Sequence, residues 1–167
     1  MAGPYFPAFP PQGQGSGGGG GGTGNDPRIR IISKSIDQQV VSSTVKVNDN
    51  DFTFPVKANT KYIFIRYYLL DSPTAADFDH LYSLPTGTSG GNIDGIWDAD
   101  TQTPVSDVTV NRRIDTNDGL IRPSLGAGEF TTGGTAGNFL LQWAQSSSNP
   151  TPTILKAGSF VLLIEVA

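Results

Sequence analysis

The chain has 167 residues, a formal net charge of −4 and no cysteine. The length suffices for one domain with a hydrophobic core, and the lack of cysteine excludes disulfides, zinc–thiolate sites and cysteine nucleophiles. The acidic balance offers no electrostatic footprint for nucleic acid or an anionic membrane. Because no apolar run reaches the ~18 residues of a transmembrane helix, and the N-terminus lacks a secretory pattern, we expect a soluble chain.

The N-terminal 25 residues differ in composition from the rest and are predicted to form an extended arm. Residues 1–24 carry no charge, and residues 17–22 are six consecutive glycines, which is typical of a flexible tether. Prolines favour a polyproline II form, and aromatic side chains are unusual in a purely solvating tail. We therefore predict an arm that binds a partner rather than a free tail. The predicted contact residues are Pro4, Tyr5, Phe6, Pro7, Phe9, Pro10 and Pro11.

A β domain is predicted over residues 26–167, and its first strands follow the arm directly. Residues 28–34, 38–47 and 52–57 are predicted strands, with Val41, Thr44 and Val45 available to the core. The polar run at residues 48–51 predicts a turn between the second and third strands. Pro55 cannot donate to a ladder, so we expect either that the third strand lies at a sheet edge or that Pro55 lies at the end of the strand.

The stretch Thr60–Asp71 is the longest β-branched and aromatic run, and it predicts a central strand. Side chains alternate between the two faces of a strand, and here both faces are apolar except for one arginine. A strand with one solvated face would show a cleaner polar side. We therefore expect more chain or another subunit over the second face. The predicted subunit-interface residues are Tyr62, Phe64, Arg66 and Tyr68.

The strand pattern weakens after Asp71. A short helix could begin at Ser72 and Pro73, because serine suits an N-cap and proline suits the first helical position. We predict strands at residues 77–84 and 107–114, and a loop at residues 84–95.

The C-terminal part is clearer, with predicted strands at residues 138–145, 153–156 and 159–166. Asn59 and Gly158 each follow a Lys-Ala pair and precede an apolar strand. Both residue types tolerate positive φ, so the same tight turn is predicted twice. Eight to ten short strands joined by such turns predict an all-β, antiparallel two-sheet sandwich of jelly-roll type.

No catalytic or metal site emerges from the residue pattern, and neither a metal nor a cofactor is expected. His80 is the single histidine, and its neighbouring carboxylates would alternate between strand faces, so we expect it to face solvent. The segment 115–119 resembles the start of a calcium loop, but position twelve is Gly126 rather than glutamate. These aspartates, like Asp94, Asp98 and Asp100, are interpreted as turn residues.

Two stretches resemble β-sandwich structural proteins of tailed bacteriophages. One runs from Phe52 to Ser72 and begins FTFPVKANTKY; the other is TTGGTAGNFLLQWAQ at residues 131–145, followed by KAGSFVLL at residues 156–163. The resemblance covers roughly residues 36–166, is weakest over 72–118, and does not include the arm.

The resemblance implies a non-enzymatic virion component. Within that class we predict a decoration or cement protein on the capsid surface, bound to the major capsid protein, because a short aromatic arm is suited to attach a small domain to a shell. We also predict a homotrimer, because both faces of the central strand are apolar and closed symmetry is the norm for such assemblies. The alternative is a tail-fibre tip that recognises a host surface glycan. A carbohydrate-active enzyme or lectin is a third interpretation, which Trp97, Tyr67 or Tyr68 exposed in a groove would favour.

Overall fold

A computed structural model describes residues 28–93, 109, 111–116 and 120–166. These residues form eleven β-strands and no helix. The strands are β1 (Ile29–Ser33), β2 (Gln38–Val40), β3 (Val47–Val56), β4 (Lys61–Asp71), β5 (Phe78–Ser83), β6 (Ser89–Ile93), β7 (Arg112–Ile114), β8 (Arg122–Thr131), β9 (Gly137–Gln145), β10 (Thr153–Leu155) and β11 (Phe160–Val166).

The first sheet has seven strands and is built around β4, as the sequence predicts for this stretch. β8 pairs with β4 along one side, and β6 pairs with β8. On the other side of β4, β11 pairs with residues 61–67 and β10 with residues 70–71. β1 and β2 complete the sheet beside β11 and β10.

The second sheet has four strands in the order β3-β9-β5-β7. All of its pairs are antiparallel, as they are in the first sheet. β3 is an edge strand, and this confirms the position expected from Pro55. The two sheets pack against each other, so the predicted antiparallel two-sheet sandwich is confirmed.

Aromatic rings fill the space between the sheets. Phe64 of β4 lies 5.0 Å from the ring of Tyr82 and 5.3 Å from that of Phe139, measured between ring centroids. Aromatic pairs at such distances add to the free energy gained from burying their area. The core therefore joins the two sheets through the even-numbered side chains of β4.

This arrangement corrects the predicted subunit interface. Tyr62, Phe64, Arg66 and Tyr68 have no exposed surface within the single chain. Alternation turns all four toward the second sheet, where a neighbouring subunit could reach them only by opening the sandwich. The opposite face of β4 is the one left available.

The repeated tight turn is confirmed at both positions. Asn59 has φ of 50° and Gly158 has φ of 87°, and each occupies a turn directly before a strand of the first sheet. A left-handed conformation is costly for most L-residues but not for glycine, and asparagine tolerates it.

Other predictions near the start of the domain are wrong. The expected turn at residues 48–51 lies inside β3, where the pairing with β9 shifts register between Asn48 and Thr53. Val41 and Val45 are exposed rather than buried in the core. Asp49 is buried instead, because a bulge turns its side chain inward.

Two further elements differ from the sequence-based prediction. Residues 73–77 form a turn, in which the Ala76 amide donates to the Pro73 carbonyl, rather than a helix. Strand β6 lies within the segment predicted as a loop, and β8 was not predicted at all. The arm at residues 1–25 lies outside the described residues.

Candidate interaction surface

The outer face of the seven-stranded sheet carries three rows of apolar side chains. The rows cross β1, β11, β4 and β8, because residues paired across an antiparallel ladder point to the same side. We call this surface the outer apolar face. Its rows are Ile29, Ile164, Ile63 and Glu129; Ile31, Leu162, Ile65 and Ala127; and Ser33, Phe160, Tyr67 and Leu125.

Ten of these twelve positions are apolar or aromatic. Ile29, Ile31 and Ile63 are the most open, with 44%, 63% and 37% of their surface exposed. Tyr67 and Phe160 stack at one end, with ring centroids 5.4 Å apart. Strand spacing of about 4.8 Å and row spacing of about 6.8 Å give a footprint of about 400 Å². A patch of that size on a soluble chain often marks an interaction site.

Charged side chains border the outer apolar face at its two ends and are neutralised there. At one end, Lys61 Nζ lies 2.7 Å from Glu129 Oε2. At the other end, Lys156 pairs with Asp37, which also accepts from the Ala157 amide at 2.8 Å. The hydrogen bond from Lys156, followed by that from the Ala157 amide, lowers the pKa of Asp37. Asp37 in turn raises the pKa of Lys156, so both groups remain charged at neutral pH.

The outer face of the four-stranded sheet is more polar. Its outward positions include Thr53, Asn138, Gln142, Ser83, Asp79 and Arg113, together with Leu81 and Leu140. Lys46 pairs with Asp79, and the Gln142 amide donates to Asn48 Oδ1 at 2.7 Å. Antiparallel sheets commonly have one such solvated face. The two outer surfaces of the sandwich therefore differ in character, and only one has the composition of an interface.

Sequence reasoning did not assemble this surface, although parts of its signal were visible. The apolar alternation of β4 and β11 was evident, with Ile63, Ile65 and Tyr67 on one side of β4. The positions of Leu125 and Ala127 were not, because β8 contains two glycines and a proline and lacks a strand signature. Only the register between strands shows that these residues form continuous rows.

The predicted arm contacts, Pro4 to Pro11, lie outside the described residues, as does Trp97 of the lectin interpretation. Tyr68 is fully buried, and Tyr67 belongs to the outer apolar face rather than to a groove.

His80 is fully buried on β5, which corrects the expectation that it faces solvent. It packs among Phe78, Tyr68 and Tyr82, with ring centroids 5.5 to 6.1 Å away. Within the described ranges, no three His, Asp or Glu side chains are grouped to hold a metal ion. That same part of the chain contains no helix long and apolar enough to cross a membrane.

No protein-family model matches the sequence, and no curated protein matches it either. Among solved structures, the baseplate tripod of bacteriophage Tuc2009 aligns over 99% of this chain and 82% of its own, with 11% identity and a TM-score of 0.37. The Gx strain of infectious bursal disease virus aligns over 87% of this chain and 45% of its own, with 13% identity and a TM-score of 0.28.

The VP2 subviral particle of infectious bursal disease virus aligns over 83% of this chain and 40% of its own, with 13% identity and a TM-score of 0.25. At such low TM-scores and identities, these likenesses carry no argument about function. The assignment of function therefore depends on the surfaces described above.

Proposed function

We propose that this chain is a non-enzymatic structural component of a tailed-bacteriophage virion, a homotrimeric protein that decorates the outer surface of the head. The proposal rests on the difference in polarity between the two outer faces. One face is polar, and the other bears three apolar rows whose only charged member, Glu129, is paired with Lys61. A sandwich built in this way is suited to be part of an assembly. The resemblance of residues 36–166 to phage β-sandwich proteins suggests which assembly.

The attachment to the major capsid protein is assigned to the arm, on the basis of its sequence. Tyr5, Phe6 and Phe9 can enter apolar grooves of the shell, and the glycine run lets them reach those grooves without straining the sandwich. Burying three aromatic side chains contributes roughly 5–9 kcal/mol. Much of this is offset by ordering the arm and by the loss of free motion.

Three arms on one trimer overcome the weakness of a single arm. Once one arm is bound, the short tether keeps the other two at high effective concentration near their own grooves. The proposal therefore predicts strong binding by the oligomer and weak binding by an isolated arm peptide.

The experiment is deletion of residues 1–12, with a length-preserving control in which Tyr5, Phe6 and Phe9 are all replaced by serine. Both variants should keep the circular dichroism spectrum and the number of subunits of the parent chain. Neither should sediment with phage heads that lack the protein, whereas the parent chain should.

Unchanged binding of both variants would show that the sandwich makes the contact and would contradict the role of the arm. Binding of the parent chain to host cells but not to heads would favour the fibre-tip alternative.

A further inference from the structure

We propose that the outer apolar face is covered by further copies of this same chain, so that the β1-β11-β4-β8 surface is the subunit interface of the homotrimer. This inference rests on the proposed function for the number of subunits. The identity of the face comes from the structure alone. The proposed interface therefore uses the odd-numbered side of β4, with Ile63, Ile65 and Tyr67, instead of the even-numbered side predicted from the sequence.

The composition of the face favours a second copy over a transient partner. Homo-oligomer interfaces are more apolar than other interfaces, and their cores are depleted in charged residues. Here isoleucine and leucine occupy seven of the twelve positions, and Glu129 is the single charge among them. The face resembles half of a hydrophobic core rather than a surface made for a polar partner.

The charges at the borders of the face are compatible with self-association. The Lys61–Glu129 and Lys156–Asp37 pairs are each neutral, so two copies can approach without opposing unbalanced like charges. The face also requires no complementary charge from a foreign surface.

The area of the face sets how much of its border must join the contact. A footprint of about 400 Å² is about half of the ~800 Å² that each partner contributes to a standard interface, so border residues must supply the remainder. β1 has β11 as its strand neighbour within the described residues, and its Ile29 and Ile31 lie at the margin of the face. A neighbouring chain that approaches along this margin covers the most exposed side chains of the surface.

The first test is the mass of the purified chain by light scattering after size exclusion. The parent chain should be an oligomer, and the double variant Ile31→Lys with Ile63→Lys should fall to the 17.6 kDa of one chain. Val45→Lys is the matched control, because Val45 is 73% exposed and lies outside the outer apolar face. That control should keep the mass of the parent chain.

A second test does not require the lysine variants to fold. The chain contains no cysteine, so Ile63→Cys introduces a single thiol that a short bis-maleimide can couple between copies. Dimeric cross-linked product should form with Ile63→Cys and not with Val45→Cys.

The outcomes separate the two proposals. A monomeric parent chain, or an oligomer that survives Ile31→Lys with Ile63→Lys without cross-linking at position 63, would overturn the assignment of the face. Loss of the oligomer on removal of residues 1–24 alone would do the same, because the arm would then be the occupant.

A dimer that depends on the face would support the assignment and contradict the trimer. Failure to bind heads by an intact oligomer would contradict only the proposed function.

Discussion

Asp49 shows how one buried carboxylate organises an irregular part of the fold. Its side chain accepts hydrogen bonds from Lys34 Nζ at 2.9 Å and Trp143 Nε1 at 3.2 Å, and from the amides of Asp51 and Phe52. The side chains of Lys34 and Asp49 have no exposed surface. A buried charge is tolerated only when it is paired and hydrogen-bonded, so this ion pair holds the end of β1 against the bulge in β3.

Replacement of Asp49 by alanine should lower the free energy of unfolding by about 3 kcal/mol, because Lys34 would keep only Asp51 as an ion-pair partner and the buried Trp143 N–H would lose its acceptor. Asp37→Ala is the matched control, since Asp37 pairs with Lys156 at the surface. Urea denaturation of the two variants should show a large loss for the first and a much smaller one for the second. Equal losses would contradict the structural role of the buried pair.

The sequence could not reveal this role. The run Asn-Asp-Asn-Asp at residues 48–51 has the composition of a turn, and turn chemistry normally explains such residues. Which aspartate points inward depends on the bulge, and the bulge depends on the pairing of β3 with β9. A partner far along the chain therefore decides the role of a residue whose local signal favours a loop.

Tyr68 provides a second residue-scale test, through pH. Burial, and then the neighbouring Tyr82, raises the pKa of Tyr68 well above its usual 10.0. As pH rises, the unfolded chain loses this proton first, so the contribution of Tyr68 to stability is retained below about pH 10 and lost above it.

Tyr68→Phe should reduce the fall in unfolding free energy between about pH 8 and about pH 11 by about 1 kcal/mol. Denaturant titrations of the parent chain and of the variant at the two pH values measure the difference. A parent-like fall in the Tyr68→Phe variant would contradict the prediction.

At the scale of elements, β8 depends on glycine where other strands depend on large side chains. A Cβ added at Gly126 would lie 2.6 Å from the Arg66 guanidinium, and one at Gly128 would lie 2.6 Å from the Phe64 ring. Arg66 and Phe64 therefore occupy the inward space that side chains of β8 would fill. Arg66 also donates to Ser124 Oγ at 3.1 Å and lies 4.8 Å from the centre of the Tyr68 ring.

Gly128→Ala should destabilise the sandwich by about 1–3 kcal/mol, because the added methyl group would meet Phe64 on one side and the Gly91 carbonyl at 2.7 Å on the other. Gly134→Ala is the control, since a Cβ there has no neighbour within 4 Å. Thermal melting should show a clear decrease for the first and little change for the second. A Gly128→Ala variant as stable as the control would show that the β4–β8 approach is looser than described.

The same glycines explain which strands could be predicted. β4, β9 and β11 are rich in β-branched and aromatic residues, and their alternation fixes their type and approximate bounds. β8 and β6 contain glycines that allow their backbones to approach neighbouring side chains closely. The need for glycine at these positions depends on the side chains of β4, so the local sequence of β8 and β6 does not predict that they are strands.

At the scale of the whole molecule, a strand with two apolar faces is the feature that sequence reasoning detected but oriented wrongly. The apolar periodicity of β4 predicts that both of its faces are covered, but it does not show which face meets the second sheet. The size of the side chains determines which face of β4 turns inward. The large side chains fill the gap between the sheets, and these are Tyr62, Phe64, Arg66 and Tyr68. The smaller side chains of Ile63 and Ile65 lie on the opposite face, in the outer rows.

The two outer faces together suggest a directional building block. In the proposed assembly, the apolar face makes the contact between copies, the polar face is turned toward solvent, and the arm connects the oligomer to the shell. This division matches the proposed decoration of a phage head, in which each surface has a separate partner.

Electron cryomicroscopy of phage heads incubated with the parent chain tests the central claim most directly. The proposal predicts three-fold knobs on the head surface, each built from three sandwiches whose β1-β11-β4-β8 faces meet near the axis. Heads without added density, or density in which single sandwiches turn those faces to solvent, would contradict it.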